Sequence, residues 1–366
     1  MRILILSDAR SIHTRRWVKA LSERGMKLAL YSLTDSHDDY YLNLGIEVFS
    51  SGISSMSNVW SKIRYFKYIP AIRVVIKKFQ PDIVHAHYAS SYGLLGVFLG
   101  FHPYIISVWG SDVYDFPTSF PGGKKLMKYI LRNADYILST SNVMACEIKK
   151  YTDKKIEITP FGVDLKRFRK IDVLKQSDLF TVGNVKTLLP KYGIDVLIRA
   201  FKLVVERNPN LNTRLVIYGQ GPCRYEYERL VKDLGLCNYT EFCGWIENEE
   251  LPKVYSSMTV SVSVSVLDSE SFGVVAVEAM ACECPVVTSD ADGFTEVVDD
   301  GVTGIIVPKR DEVATANAIQ KFIDNPELRQ TMGKAGRERV ERLYDWNKNV
   351  DTMVEIYNRI YEDIID

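Results

Sequence analysis

Two glutamates, Glu270 and Glu278, stand in the part of the chain whose residue types and spacing could do the most chemistry. Residues 260–288 read VSVSVSVLDSESFGVVAVEAMACECPVVT. Val and Ser alternate first, the pattern of a strand with one face in a core. A short polar loop follows, and a helix begins near Phe272 and Gly273. Glycine at Gly273 lets the backbone come close to a ligand. The free N–H groups of a helix start, with its dipole, suit an anionic phosphate, and Val274 opens that helix. Glu278 lies four residues after Val274, on the same helical face. A carboxylate there can accept hydrogen bonds from a ribose diol. Glu270, at the loop edge, can reach sugar hydroxyls or stabilise positive charge at an anomeric carbon. Spacing alone is weak, because paired glutamates are common on any solvated helix. The strand-loop-helix setting makes the functional reading the sharper one.

The elements that must position these residues recur along the chain. The pattern predicts strands at 3–7, 27–32, 83–87, 104–108 and 136–139, with a helix over 15–24. The rhythm restarts after about residue 165. Strands are expected at 179–183, 214–218, 260–266, 285–288 and 305–307, and helices at 193–208, 224–234 and 274–281. Alternating β and α elements imply parallel sheets covered on both faces, hence an α/β protein with two Rossmann-like domains. The polar segment 164–177, rich in Lys and Arg, reads as a linker. Ligands of open α/β sheets sit beyond the carboxyl ends of the strands, so two such domains facing across a cleft would place a small-molecule site there.

The string ESFGVVAVEAMAC, residues 270–282, resembles the E-x7-E signature of retaining glycosyltransferase family 4, the glycosyl transferases group 1. TPFGVD at 159–164 is similar to the family's P-x-G-V-D. YGQGP at 218–222, which contains Gly219, resembles its G-x-G-P loop. Residues 293–298 and 301–304 resemble the loops G-G-x-x-E-V-V and N-G-x-T-G. The resemblance runs along nearly the whole chain. It implies the GT-B fold, with an acceptor-binding domain at 1–165, a nucleotide-sugar-binding domain at 166–345 and a C-terminal helix at 346–366 packing back on the first domain. It also implies an Arg and a Lys, five residues apart, that hold the donor's diphosphate. Here Asn184 stands at the expected Arg position, while Lys186 and Lys191 are themselves five apart. Aligned with a small insertion, these two lysines take the phosphate-binding roles. Lysine gives up bidentate binding but remains a cation for phosphate.

The first half departs further. The family's H-G-x-D appears as Trp109-Gly110-Ser111-Asp112, and an indole cannot take up a proton. Trp109 is expected to stack on a sugar face and Asp112 to orient acceptor or donor. His85 and His87 share one face of a strand, and His87 is the catalytic candidate because it lies nearer the strand end. A packed structural histidine is its other reading. His13, in the loop after the first strand, is a further candidate, with Arg15 and Arg16 as acceptor-phosphate contacts. Asp290-Ala291-Asp292 has a D-x-D form, but it opens the loop that resembles G-G-x-x-E, so no metal is expected. The absence of G-x-G-x-x-G argues against a nicotinamide dehydrogenase.

Bulk composition fits this reading. The chain has 366 residues, 46% hydrophobic and 25% charged, enough for two cores. Lys+Arg and Asp+Glu both number 46. Residues 1–165 hold 21 Lys/Arg against 14 Asp/Glu, so the front half is basic. Zero net charge and the lack of a recognisable module argue against nucleic acid. Six cysteines show neither zinc spacing nor a disulfide framework, so free thiols in a cytoplasmic setting are expected. The start reads as a strand rather than a signal peptide, and no apolar run is long enough to span a membrane. Residues 48–81 hold no acid but carry Lys62, Arg64, Lys67, Arg73, Lys77 and Lys78, interleaved with Trp60 and other aromatics. Lys124, Lys125 and Lys128 could extend this face. It is either a peripheral contact with anionic lipid, at the inner face of the cytoplasmic membrane, or a solvated helix pair with an ordinary core face.

The resemblance therefore implies a metal-independent transferase without a cofactor. It would move a sugar from a nucleoside-diphosphate sugar to a hydroxyl of a glycan or lipid-linked glycan, with retention of configuration, in polysaccharide or cell-envelope synthesis. A sugar-nucleotide epimerase on the same fold and an inactive sugar-nucleotide-binding scaffold are the alternatives.

Overall fold

The computed structural model describes residues 1–36, 38–53, 65–173 and 178–365. Trp60, Lys62 and Arg64, which the basic stretch included, lie outside them, as do the last four residues of the expected linker. The chain divides into two compact units: Met1–Pro160 with Lys348–Asp366, and Phe161–Asn347.

The first unit holds a seven-stranded sheet of β1 (Arg2–Leu6), β2 (Lys27–Ser32), β3 (Glu47–Ser50), β4 (Ile83–His87), β5 (Tyr104–Val108), β6 (Tyr136–Ser139) and β7 (Ile156–Ile158). Its order is β3-β2-β1-β4-β5-β6-β7, and the pairings are parallel. β1, β4 and β5 are buried along nearly their whole length, which is why their sequences read as near-continuous apolar runs. The helix Ile12–Glu23 follows β1 and buries Trp17, Val18 and Leu21. It starts three residues earlier than periodicity suggests. The C-terminal helix Trp346–Ile365 belongs largely to this unit. Its Val350, Met353, Ile356, Tyr357 and Ile360 are buried. Arg24–Asp351 (2.6 Å) and Arg359–Glu157 (2.5 Å) fasten its outer side.

The second unit repeats the scheme with β8 (Phe180–Val185), β9 (Thr213–Tyr218), β10 (Thr240–Gly244), β11 (Val260–Ser263), β12 (Val286–Ser289) and β13 (Gly304–Val307). The order is β10-β9-β8-β11-β12-β13, again all parallel. Helices Ile194–Arg207 and Glu312–Asp324 pack on a core that includes Val182, Leu197, Phe201, Ile217, Val262 and Phe322.

Two strand ends differ from the sequence expectation by two residues or more, and both matter. β8 runs on to Val185, because its ladder with β9 continues to Val185 opposite Tyr218. β11 stops at Ser263, because Val266 turns its N–H to the Lys191 carbonyl (2.9 Å) instead of to a neighbouring strand. The expected linker is also corrected. Phe168 is buried, Lys170 pairs with Glu283 (3.0 Å) and the Ile171 N–H donates to Ser256 Oγ (2.9 Å), so residues 164–171 are packed parts of the second unit.

Candidate functional site

In an open parallel sheet, a crevice forms where the strand order reverses, beyond the carboxyl ends of the two strands concerned. In the second unit those strands are β8 and β11. Lys186 is the first residue past β8, its amide donating to the Tyr218 carbonyl (2.9 Å). Asn184 is one turn of the pleat earlier, buried inside the strand, where its side-chain amide donates to the Val262 carbonyl (2.7 Å). It ties β8 to β11 and cannot face a ligand.

Lys186 Nζ lies 2.5 Å from Glu270 Oε2, with the two side chains only 12% and 10% exposed. Ser265 Oγ donates to the same carboxylate oxygen (3.1 Å). A largely dehydrated ion pair of this kind is costly to leave half-made, so each partner fixes the other. The ammonium groups of Lys186 and Lys191 lie 4.5 and 4.9 Å from the ring centre of Tyr192. One aromatic ring thus gathers two cations that the chain separates by five residues. Tyr192 was missed in the sequence. Its signal was its place beside Lys191 in the turn Pro190–Tyr192.

The helix Val274–Ala281 is apolar on all sides and buried, and Glu278 is its one charge. Tyr255, fully buried on the helix Leu251–Ser257, donates its hydroxyl to Glu278 Oε2 (3.1 Å). Burial, and then the carboxylate beside it, push the Tyr255 phenol far above its ordinary range, so it remains a donor. Tyr255 is the second residue that sequence reasoning missed, because no spacing links two helices so far apart in the chain.

Gly273 begins the helix with φ +79°, a conformation L side chains rarely adopt, and as the N-cap it offers no side chain to the first turn. Phe272 is buried just before it, with edge-to-face contacts to Phe161 (5.9 Å) and Tyr344 (5.5 Å). The loop carrying Glu270 is held from two sides. Its carbonyl accepts the Gly293 N–H (2.8 Å), and Asp268 pairs with Lys309 (2.7 Å). Lys309 also receives Asp290, whose Oδ1 accepts its amide (2.8 Å). Gly219 lies beyond β9, its N–H donating to the Gly244 carbonyl (2.7 Å).

The first unit gathers several predicted residues at the corresponding reversal between β1 and β4. The Trp109 ring centre is 4.5 Å from that of His87 and 5.9 Å from that of His13. His87 Nδ1 meets Ser7 Oγ (3.2 Å), and the His85 ring stands 4.7 Å away. Of the two readings of His87, catalytic or packed, the fold favours packing, with only 2% of the residue exposed. Burial, reinforced by His85 and then His13, holds its pKa well below the usual histidine value, so the ring is neutral.

Asp112, expected to orient acceptor or donor, is fully buried and accepts backbone N–H groups from Ala89 (2.7 Å), Gly110 (2.8 Å) and Trp109 (3.2 Å). These bonds hold the start of the Trp109 loop. Burial raises its pKa to about 6, against the opposing pull of those amides. Arg15, expected as an acceptor-phosphate contact, is ion-paired. It pairs with Asp38 (2.7 Å) and lies over the Tyr40 ring (5.0 Å), because its helix faces that loop. Arg16 is half-buried on the same helix.

Known proteins resemble this chain in sequence and in fold. Residues 166–339 match the family described as "Glycosyl transferases group 1", and residues 2–141 match "Glycosyl transferase 4-like". The chain is 30% identical over 311 residues to a D-inositol 3-phosphate glycosyltransferase of Kribbella flavida, covering 77% of this chain and 72% of that protein. The aligned region spans between 52% and 76% of the length of such curated relatives. The sucrose-phosphate synthase of Thermosynechococcus elongatus has the same fold, with TM-score 0.84, 23% identity and coverage of 99% of this chain and 100% of that one. Anabaena Alr3699/HepE, solved with UDP and glucose, gives TM-score 0.77 at 18% identity, covering 98% and 100%.

Proposed function

The chain belongs to the glycosyl transferases group 1 family, and from that membership we propose that it transfers a sugar from a nucleoside-diphosphate sugar to a hydroxyl of a glycan or lipid-linked glycan. One observation carries the reading: Lys186, Lys191, Glu270 and the start of the helix Val274–Ala281 all border the strand-order reversal of the second sheet.

In this reading Glu278 holds the ribose diol, in an orientation set by Tyr255. Lys186, Lys191 and the amides near Gly273 and Val274 hold the diphosphate. Without donor, Lys186 and Glu270 neutralise each other. With donor, Lys186 turns to the diphosphate and Glu270 to the sugar hydroxyls. The acceptor oxygen forms its bond to the anomeric carbon while the bond from that carbon to the diphosphate breaks. Negative charge grows on the departing nucleoside diphosphate, where fixed cations and helix amides stabilise it without a metal. The acceptor's proton leaves with that diphosphate. No protein nucleophile stands in the sequence for a double displacement, so retention is assigned to attack on the face from which the leaving group departs. Trp109, with His13 beside it, is the sugar-stacking candidate on the acceptor side.

Glu278→Ala and Lys191→Ala should each lower kcat/KM by roughly 10²-fold or more, the scale expected when a charge-assisted contact of about 3 kcal/mol is lost. Initial rates with UDP-, GDP- and ADP-sugars would check this, after a melting screen has picked the nucleotide. Wild-type kinetics in both variants would overturn the site. Conversion of donor without acceptor would identify an epimerase, and nucleotide binding without any turnover an inactive scaffold.

A further inference from the structure

We propose that the first unit docks on an anionic lipid bilayer through the face formed by the helices Ile69–Phe79 and Gly123–Arg132. The two helices meet around Phe98. Arg73, on the first, donates to the Phe98 carbonyl (3.1 Å). The Phe98 ring is 4.6 Å from Phe66 and 6.2 Å from Tyr129, on the second. Val74, Phe98 and Tyr129 are 65%, 39% and 45% exposed, large apolar side chains left in solvent. Lys77 follows Arg73 by one turn, and Lys125 and Arg132 lie one turn either side of Tyr129, so cations frame the apolar groups.

The charge is one-sided. Residues 65–80 and 123–132, which hold the two helices, contain eight Lys or Arg and no Asp or Glu. Among the described residues, one of those eight is in an ion pair, Lys78 with Glu47. A soluble surface ordinarily mixes both signs, and a uniform field of this kind attracts a polyanion. Two polyanions differ in what else they offer. A nucleic acid backbone neutralises cations but gains nothing from an exposed valine beside them. The bilayer interface takes lysines at the phosphate level and aliphatic and aromatic side chains just below it, so it matches both halves of the face. The proposal stands apart from the donor site, and its assay needs no sugar nucleotide.

The full chain should be sedimented with phosphatidylcholine vesicles, with and without phosphatidylglycerol, over a salt series. Binding is expected only with phosphatidylglycerol and should weaken as salt rises. Lys125→Glu/Lys128→Glu should weaken partitioning roughly tenfold or more, since each basic residue contributes severalfold. Val74→Ser/Tyr129→Ser should weaken it while leaving the salt dependence unchanged. Circular dichroism melting confirms that the variants are folded, and the lipid and salt dependence of the wild type decides the matter if they are not. Equal binding to neutral vesicles, or none to anionic ones at low salt, overturns the proposal. So does tighter binding to a DNA oligonucleotide that ignores Val74→Ser/Tyr129→Ser.

Discussion

Glu278 is oriented in part by a hydroxyl from another helix. It lies on an apolar helix where few groups could satisfy a carboxylate, and Tyr255 supplies a donor at 3.1 Å from a different helix. Tyr255→Phe keeps the ring and removes that donor. A lost hydrogen bond to a charged group is worth about 1–2 kcal/mol. The donor KM should therefore rise roughly 5- to 30-fold, while kcat stays within about twofold, because a group that reads the ribose binds ground state and transition state alike. A purely packing role would lower Tm without moving KM, so kinetics and melting on the same variant separate the two. The residue scale also shows where sequence reading succeeded. Glu270 was singled out by its strand-loop-helix setting, and Lys186 and Lys191 by the family's pair of cations five residues apart; the fold brings all three to one place. Tyr192 and Tyr255 were not singled out, since a tyrosine among 21 announces nothing until its neighbours are known.

The strand-loop-helix element of residues 260–281 works because its loop is pinned. Gly293 approaches that loop so closely that a Cβ would lie 2.3 Å from the Phe272 nitrogen and 2.4 Å from the Glu270 carbonyl oxygen. Both neighbours are backbone, so neither can rotate away. Gly293→Ala should cost roughly 1–3 kcal/mol of stability, the scale of overpacking, and should displace Glu270 from Lys186. Urea denaturation would measure the first effect. An activity loss of about tenfold or more would report the second, and an unchanged kcat/KM would show that the loop tolerates the shift. Elements with strong patterns were legible in advance. The helix Val274–Ala281 and the strands β2, β4, β5 and β6 fall where periodicity puts them. The strands β3, β7 and β10 were not foreseen. Each sits at a sheet edge and is only partly buried, so its sequence lacks the apolar run that marks an inner strand.

Across the molecule, the chain ends by returning to the unit in which it began. The last helix is fastened there by a buried bond from Tyr357 to His85 Nδ1 (2.6 Å), while His85 Nε2 meets Ser107 (2.8 Å). Burial lowers the His85 pKa to about 3. The sign follows from linkage. Unfolded His85 protonates below about pH 6.5 while the folded ring stays neutral, so the unfolded state binds more protons and stability falls with pH. The contribution is full above pH 6.5 and is lost at about 1.4 kcal/mol per unit between there and pH 3. Asp112 acts oppositely. Its folded pKa of about 6 lies above its unfolded value, so its share of stability rises as pH falls from 6 towards 4. Comparing wild type with His85→Gln isolates the histidine. Denaturant midpoints should fall more steeply for wild type between pH 6.5 and 4.5, and parallel curves would refute the assignment.

The sequence by itself determined the α/β class, the twofold repeat of the Rossmann-like scheme and the family, because apolar periodicity and short backbone-dictated motifs are local properties. It also named the charged residues at the strand ends. Tertiary structure alone decided which of them stand open and which are spent on the protein itself. Asp112, His87 and Arg15 read as site residues along the chain, and only the fold shows that they are buried or paired, because burial and partner geometry depend on residues far away in the chain. The same distance dependence brought Tyr255 to Glu278 and Phe98 to both Arg73 and Tyr129, contacts that no reading along one line of text could supply.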